Sequence, residues 1–526
     1  MKLHFNVAGP CIEGMHYMIP PARRLPEAPG LVEQFGYFVI HAPRQTGKTT
    51  VIRALAKDLT AAGKYAALYF SCEGGGAFED NLEAAERVVL SRMVQEAADK
   101  LPAELRPPAP PEAPAGDRLI TALRTWSSAC PRPVVLFFDE IDALRGPSLI
   151  TVLRQLRAGF PDRPGGFPAS VILCGLRDVR DYKAASGGDP QRLGTASPFN
   201  VKLKSLRLGD FTDEEVRELY AQHTAATGQA WTEGALVRAF EVTQGQPWLC
   251  NAVAREIVEE IAVPPEEEIT RDHVEQAKER LILARATHLD SLSARLSEPR
   301  VKRFIEPVLA GTSTAKDGTF DDDLRYCRDL GLLAPNDPVR IANPIYHEVV
   351  ARVLAAPAQT DMLVEPRSFV LADGRLDLDK LLHEFAEFWR ENGDVLSTGM
   401  PYHEVAPQLV LMAFLQRVVN GGGFIDREYG IGRGRIDLLV RWRYTDAAGK
   451  ASWQREALEL KVWRDKQRDP MDKGLSQLDG YLEKTGLSTG VLVIFDRRTD
   501  AEDIETRTRF ERAVTPAGRS VTLLRA

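Results

Sequence analysis

Two stretches of this chain bring together residue types suited to phosphorus chemistry. The first is 42–49, Ala-Pro-Arg-Gln-Thr-Gly-Lys-Thr. A loop of this pattern turns its backbone N–H groups toward phosphate oxygens at the head of a helix. Gly47 permits the tight backbone, Lys48 reaches the β- and γ-phosphates, and Thr49 offers a hydroxyl to Mg²⁺. Thr50, directly behind, counts with them as a nucleotide contact. Ala42 stands where the pattern usually begins with glycine, which alters the loop's entry and removes no phosphate ligand. Further on, the apolar run Val134-Val135-Leu136-Phe137-Phe138 ends in Asp139-Glu140. At such a strand end Asp139 would hold Mg²⁺, usually through water, and Glu140 would orient and polarise an attacking water.

The second stretch carries Asp437 on one strand and Ala457-Leu458-Glu459-Leu460-Lys461 on the next. Positions two apart on a strand share a face, so Glu459 and Lys461 point one way while Leu458 and Leu460 turn to the core. Antiparallel pairing through the intervening polar turn would bring Asp437 close to them. Two carboxylates and an ammonium at one point suit metal-assisted phosphodiester hydrolysis. The carboxylates hold Mg²⁺, while the lysine positions water and steadies the charge developing on phosphorus. Gln477 and Tyr481, four apart, share one face of the following helix. Lys461, Arg464, Lys466 and Arg468 form a basic run that can meet a phosphate backbone, or simply be a solvated loop.

The elements that must position these groups follow from hydrophobic patterning. Short apolar runs at 36–41, 65–71, 133–139 and 170–175 alternate with helical stretches up to about residue 205, the pattern of a parallel α/β sheet. Residues 102–116, rich in proline and alanine, read as an extended surface insertion. Thr212 with Glu215 makes a capping box that opens a run of helices. A second helical block spans about 271–355, with a short strand signal at 339–341. Residues 357–380 read as a connection, followed by a helical stretch, a strand pair, a helix and a last strand at 490–495.

These motifs resemble the STAND branch of the AAA+ ATPases: the phosphate loop, Asp139-Glu140, and a following strand that ends in Gly175-Leu176-Arg177-Asp178. The resemblance implies ATP and ADP as ligands, with Arg177 sensing the γ-phosphate. Gly245-Gln246-Pro247-Trp248 resembles the family's G-x-P signature, which implies that Pro247 packs on the adenine from a helical lid; a plain helix-initiating proline is the alternative. Residues 17–21, Tyr-Met-Ile-Pro-Pro, stand where they could line the base pocket. The block at 276–356 resembles the winged-helix domain that follows the lid, which in this family more often reports nucleotide state than enters DNA. The set Asp437, Glu459-x-Lys461, Gln477-x-x-x-Tyr481 resembles PD-(D/E)XK nucleases of the branch with a Q-x-x-x-Y helix, although Ile436 replaces the proline. That likeness implies Mg²⁺, with Mn²⁺ able to take its place. It also implies a further glutamate ligand from an upstream helix: Glu404, with Glu428 the less favoured substitute.

The expected fold is α/β: a P-loop AAA+/STAND domain (1–205), a helical lid (206–275), a winged helix (276–356) and an α/β restriction-endonuclease-like domain (357–526). The expected function is an ATPase that regulates a nuclease acting on DNA in preference to RNA. The alternative is a signalling or scaffold ATPase whose C-terminal domain binds without cutting. A length of 526 residues exceeds what one core supports. A net charge of −7 leaves room for a local basic site without advertising nucleic-acid binding. Six scattered cysteines without a C-x-x-C pair argue for buried thiols in a reducing compartment. No apolar run reaches the roughly 18 residues of a membrane span, and the N-terminus lacks signal-peptide order. A cytoplasmic protein without membrane partners, able to form a homo-oligomer, is the expectation.

Overall fold

The computed structural model describes residues 3–78, 81–176, 199–284, 294–309, 321–359, 369–399, 405–420, 423–427, 437–447 and 449–526. At 355–359, 394–399, 416–420, 426–427 and 437 the description is of the backbone alone. The chain divides into two compact units, Met1–Leu283 with Arg325–Gly331, and Ala284–Leu324 with Leu332–Ala526.

In the first unit, β1 (Phe38–His41), β2 (Ala66–Ser71), β3 (Val134–Asp139), β4 (Ser170–Gly175) and β5 (Lys204–Arg207) form a parallel sheet ordered β2-β3-β4-β1-β5. The four strands anticipated from sequence are present within two residues of their expected starts. Pro133, lacking an N–H, stays outside the ladder as an acceptor for Ala66 N at 3.0 Å. The strand β5 was not anticipated, since Lys-Ser-Leu-Arg buries only Leu206 and sits at the sheet edge.

Alternate residues of these strands feed two cores. Ile40, Ala67, Val135, Phe137 and Ile172 pack with α1 (Ala28–Glu33) and α2 (Lys48–Ala61). Val39, Leu68, Leu136, Phe138 and Leu173 pack with α3 (Leu82–Lys100), α4 (Arg118–Ala129) and α5 (Gly146–Gly159). Every residue of β3 is buried, as expected for a parallel strand covered on both faces. Each such Val, Leu or Phe contributes roughly 1.5–3 kcal/mol relative to exposure. The segment 102–116 departs from a plain surface insertion. Its Leu105 is buried, and the Trp126 indole N–H donates to the Leu105 carbonyl at 3.0 Å.

Four helices follow: α6 (Asp213–Thr227), α7 (Glu233–Thr243), α8 (Pro247–Arg255) and α9 (Arg271–Leu283). The Thr212–Glu215 capping box closes as the sequence implied, with both reciprocal bonds made. Arg238 pairs with Glu275, and Lys278 with Glu275 at 2.8 Å, so α7 and α9 share a buried ionic network. Against the burial that would raise it, Lys278 and Arg238 hold the Glu275 carboxyl well below its usual range.

The second unit holds α10 (Pro299–Leu309), most of the chain flanking α11 (Asp322–Asp329), then α12 (Pro344–Gln359), α13 (Leu378–Gly399) and α14 (Ala406–Asn420). The strand signal at 339–341 yields only an isolated bridge between Leu333 and Ile341. A six-stranded mixed sheet follows, made of β6 (Phe424–Arg427), β7 (Asp437–Thr445), β8 (Ala451–Trp463), β9 (Thr489–Asp496), β10 (Arg509–Val514) and β11 (Ser520–Arg525). Its order is β10-β11-β9-β8-β7-β6. The crossover from β8 to its parallel neighbour β9 runs through α15 (Met471–Thr485). The run at 490–495 is therefore not the last strand. An antiparallel hairpin follows it, and β11 pairs in parallel with β9. Charged side chains at Arg509, Glu511 and Arg512 mask the alternation of the edge strand β10.

Candidate active sites

The first site stands at the carboxyl ends of β1 and β3, where ligands of open α/β sheets bind. Between β1 and α2 the loop holds Gln45 at φ 59° and Gly47 at φ 84°. These left-handed turns curl successive N–H groups toward a common anion position. No neighbouring atom crowds a Cβ built on Gly47, so its positive φ is what requires glycine. Lys48 and Thr49 open α2.

Asp139, fully buried at the end of β3, gathers the site's donors. Its Oδ2 accepts from Thr49 Oγ1 at 2.8 Å and from Tyr69 Oη at 3.3 Å. Its Oδ1 accepts from Glu140 N at 2.9 Å and lies 3.8 Å from Lys48 Nζ. Thr49 and Asp139 thus present hard oxygens at one point, a donor set that fits Mg²⁺. Glu140 sits at φ 53°, a left-handed conformation rare for a side chain of this size. Burial raises the Glu140 carboxyl above its usual range, Asp139 adds to the rise, and the Ser71 hydroxyl opposes it by donating to Oε2 at 2.6 Å. The cleft around these groups, about 870 Å³, is lined by Lys48, Thr49, Thr50, Tyr69, Glu140 and Arg145, among others.

A second cavity, about 110 Å³, adjoins the start of α2 at Gly47, Thr50 and Val51. Tyr17, Met18, Ile19 and Pro21 line it from the N-terminal segment, and Pro247 and Trp248 from α8. Pro247 is also the first residue of that helix, as the helix-initiating reading expects. Gly245 makes the turn into α8 at φ 75°, and a Cβ there would overlap the Phe211 carbonyl oxygen. Phe211 N donates to Gly245 O at 2.8 Å, which fastens this turn to the chain ahead of α6. Arg177 lies outside the described residues; β4 stops two positions earlier, and Leu176 N donates to Asp142 Oδ2 at 3.1 Å.

Sequence reasoning passed over Ser71 and Tyr69. Both belong to β2, hydrogen-bonded neighbour of β3, and Ser71 lies in register with Asp139. A polar residue closing an apolar parallel strand was the signal available.

In the second unit, β7 and β8 pair so that Asp437 stands directly across from Glu459, with Lys461 two residues further along β8. Leu458 and Leu460 are buried on the other face. Glu459 is 1% exposed, and its Oε1 is ion-paired with Lys461 Nζ. Gln477 and Tyr481 lie on α15, which packs against β8 and β9. Tyr481 is buried, and Gln477 Oε1 is buried without a hydrogen-bond partner among the described residues. Glu404, Glu428 and residues 432–436 lie outside the described residues, as does the Asp437 side chain. Among the described residues no group of three or more His, Cys, Asp or Glu gathers for a metal. Beyond Lys461, Arg498 stacks over the Trp463 ring at 3.6 Å, and Lys466 and Arg468 are exposed.

The first unit is thus a P-loop nucleotide site on a parallel α/β sheet, the architecture of an ATPase. Residues 30–164 match the family model described as an AAA ATPase domain, a span that includes the phosphate loop, Asp139 and Glu140. Among curated proteins none matches the chain. Among solved structures, the Walker-type ATPase PABY2304 of Pyrococcus abyssi is similar at 13% identity and TM-score 0.46, over 66% of this chain and 99% of that one. The RuvB Holliday junction branch migration motor of Thermotoga maritima is similar at 15% identity and TM-score 0.33, over 62% and 93%. Cdc6p from Pyrobaculum aerophilum is similar at 12% identity and TM-score 0.35, over 63% and 92%.

Proposed function

We propose that the chain is an ATP-hydrolysing switch of the STAND branch whose nucleotide state governs a Mg²⁺-dependent nuclease site in the C-terminal unit. In the first site Lys48 and the loop N–H groups bind the phosphates. Thr49 and Asp139 hold Mg²⁺, which when bound neutralises charge on the phosphates. Glu140 orients a water and takes up its proton as it attacks, then returns to the Ser71 hydroxyl. Pro247 closes on the adenine, and Arg177 reads the γ-phosphate. Domain limits of 1–205, 206–275, 276–356 and 357–526 belong to this reading, as do a cytoplasmic location and self-association. No helix among the described residues is long and apolar enough to cross a membrane.

In the second site Asp437 and Glu459, with Glu404, hold Mg²⁺ or Mn²⁺, which when bound polarises the scissile phosphate. Lys461 positions the attacking water and steadies the phosphorane charge, and Gln477 orients the groups around it. The observation that carries this reading is the register of Asp437 opposite Glu459, with Lys461 on the same strand face. DNA is the favoured substrate. The ion pair of Glu459 with Lys461 favours a second reading, in which the strand is a structural element of a scaffold ATPase. Purified protein with Mg²⁺ or Mn²⁺, offered single- and double-stranded DNA and RNA with and without ATP, decides between them. Metal-dependent cleavage by wild type and none by Lys461→Ala supports the nuclease, whereas no cleavage of any substrate leaves the scaffold.

A further inference from the structure

We propose that the exposed face of the β7–β8 hairpin binds single-stranded DNA, with the Trp453 indole stacking on a base and Arg443 and Arg455 meeting the phosphates beside it. The inference rests on the nuclease reading for its choice of DNA, and the surface needs neither metal nor cleavage to act.

Residues of the two strands alternate between faces. Val440, Trp442, Gln454 and Glu456 turn to one side. There the Trp442 indole donates to Gly374 O at 2.9 Å, and Gln454 exchanges two bonds with the Leu376 backbone, at 2.8 and 3.0 Å. The opposite side begins with Asp437, Glu459 and Lys461 at one end. Leu439 and Ala457 follow, in one core with Leu475 and Leu478 of α15. Beyond them Arg441 stands opposite Arg455, and Arg443 opposite Trp453. Arg443 and Arg455 are exposed, and Trp453 keeps 40% of its surface in solvent.

Like charges set directly across a strand pair repel, and an indole left in water forgoes its burial. Three other arginines in or beside this sheet are paired: Arg498 with Asp496 at 2.7 Å, Arg509 with Glu511 at 2.9 Å and Arg525 with Asp469 at 2.9 Å. Arg443 and Arg455 have no carboxylate partner among the described residues. Between the Glu459 end and the turn, neither strand places an acid on this face. On β6, Asp426 stands level with Leu439, toward the Glu459 end, and Phe424 level with Arg441. The Arg441 guanidinium lies 5.3 Å from the centre of the Phe424 ring and 5.5 Å from that of Trp453, which steadies the indole.

A phosphodiester chain supplies the negative charge that the arginines lack, and an unpaired base supplies a flat face for the indole. A duplex keeps its bases stacked on one another and leaves Trp453 without a partner. Trp453 and Glu459 lie six residues apart on one strand, about 20 Å. A DNA strand laid along β8 therefore runs from the aromatic platform to the carboxylates. The bland account is a solvated hairpin whose arginines serve solubility.

The test is fluorescence anisotropy of a labelled DNA oligonucleotide with the full chain in EDTA, which keeps metal and cleavage out. Wild type is expected to bind the single strand more tightly than the duplex of the same sequence. Trp453→Ala is expected to weaken single-strand binding about fivefold to a hundredfold, and Trp453→Phe to keep most of it. Arg443→Gln combined with Arg455→Gln is expected to flatten the slope of log affinity against log salt by about 1.4. A duplex bound as tightly as the single strand overturns the proposal, and needs no variant to fold. So does an RNA strand of the same sequence bound more tightly, displacement by polyglutamate at equal charge, or variants that bind like wild type. Metal-dependent cleavage by a chain that fails these tests keeps the nuclease and removes this surface. Trp453-dependent binding by a chain that cuts nothing keeps the surface and removes the nuclease.

Discussion

Ser71, the last residue of β2, donates a 2.6 Å hydrogen bond to Oε2 of Glu140, the residue that follows β3. The strands are in parallel register, so this contact is fixed by the sheet. On the proposed reading Glu140 acts as its carboxylate; burial holds its carboxyl above the usual range while Ser71 pulls it down. Hydrolysis should therefore fall as pH drops through that raised value. In Ser71→Ala the lowering contact is gone, so the acid limb of the pH–rate profile should move to higher pH. Superimposed profiles for wild type and variant would show that Ser71 does not govern Glu140.

Lys48→Ala should abolish ATP hydrolysis and leave the fold intact, because Lys48 lines the cleft, its ammonium 3.8 Å from Asp139 Oδ1. Glu140→Gln should instead retain nucleotide and slow turnover by about 10²–10⁴-fold, since Thr49 and Asp139 remain to hold the metal. Nucleotide binding and steady-state turnover measured side by side separate the two. Wild-type turnover in both would remove the assignment of this site.

Gly245→Ala should destabilise the first unit by roughly 2–4 kcal/mol, combining left-handed strain with overlap at the Phe211 backbone. Urea unfolding followed by circular dichroism measures it. A loss below about 0.5 kcal/mol would mean the turn relaxes without cost.

In the second unit, Asp437→Ala and Glu459→Ala should each lose cleavage and weaken Mg²⁺ binding, as both remove a carboxylate. Lys461→Ala should lose cleavage and keep metal binding, because an ammonium is no ligand for a hard cation. ATP hydrolysis should survive all three. A structural ion pair would show the opposite: lower stability with no metal-dependent signature.

The sequence determined what depends on local pattern. The loop 42–49, the apolar run into Asp139-Glu140, the Thr212 cap and the helix start at Pro247 were legible because turn chemistry, burial period and capping act over a few residues. The alternation of Glu459 and Lys461 with leucines was legible for the same reason. Tertiary structure alone decided which strands lie side by side. The order β2-β3-β4-β1-β5 puts Ser71 and Tyr69 beside Asp139, although they stand far from it in the chain. The same holds for the closing hairpin β10–β11, whose charged edge hides its period. Hydrogen-bond pairing between distant strands leaves no mark on either strand's own sequence, so only the folded chain could reveal those neighbours.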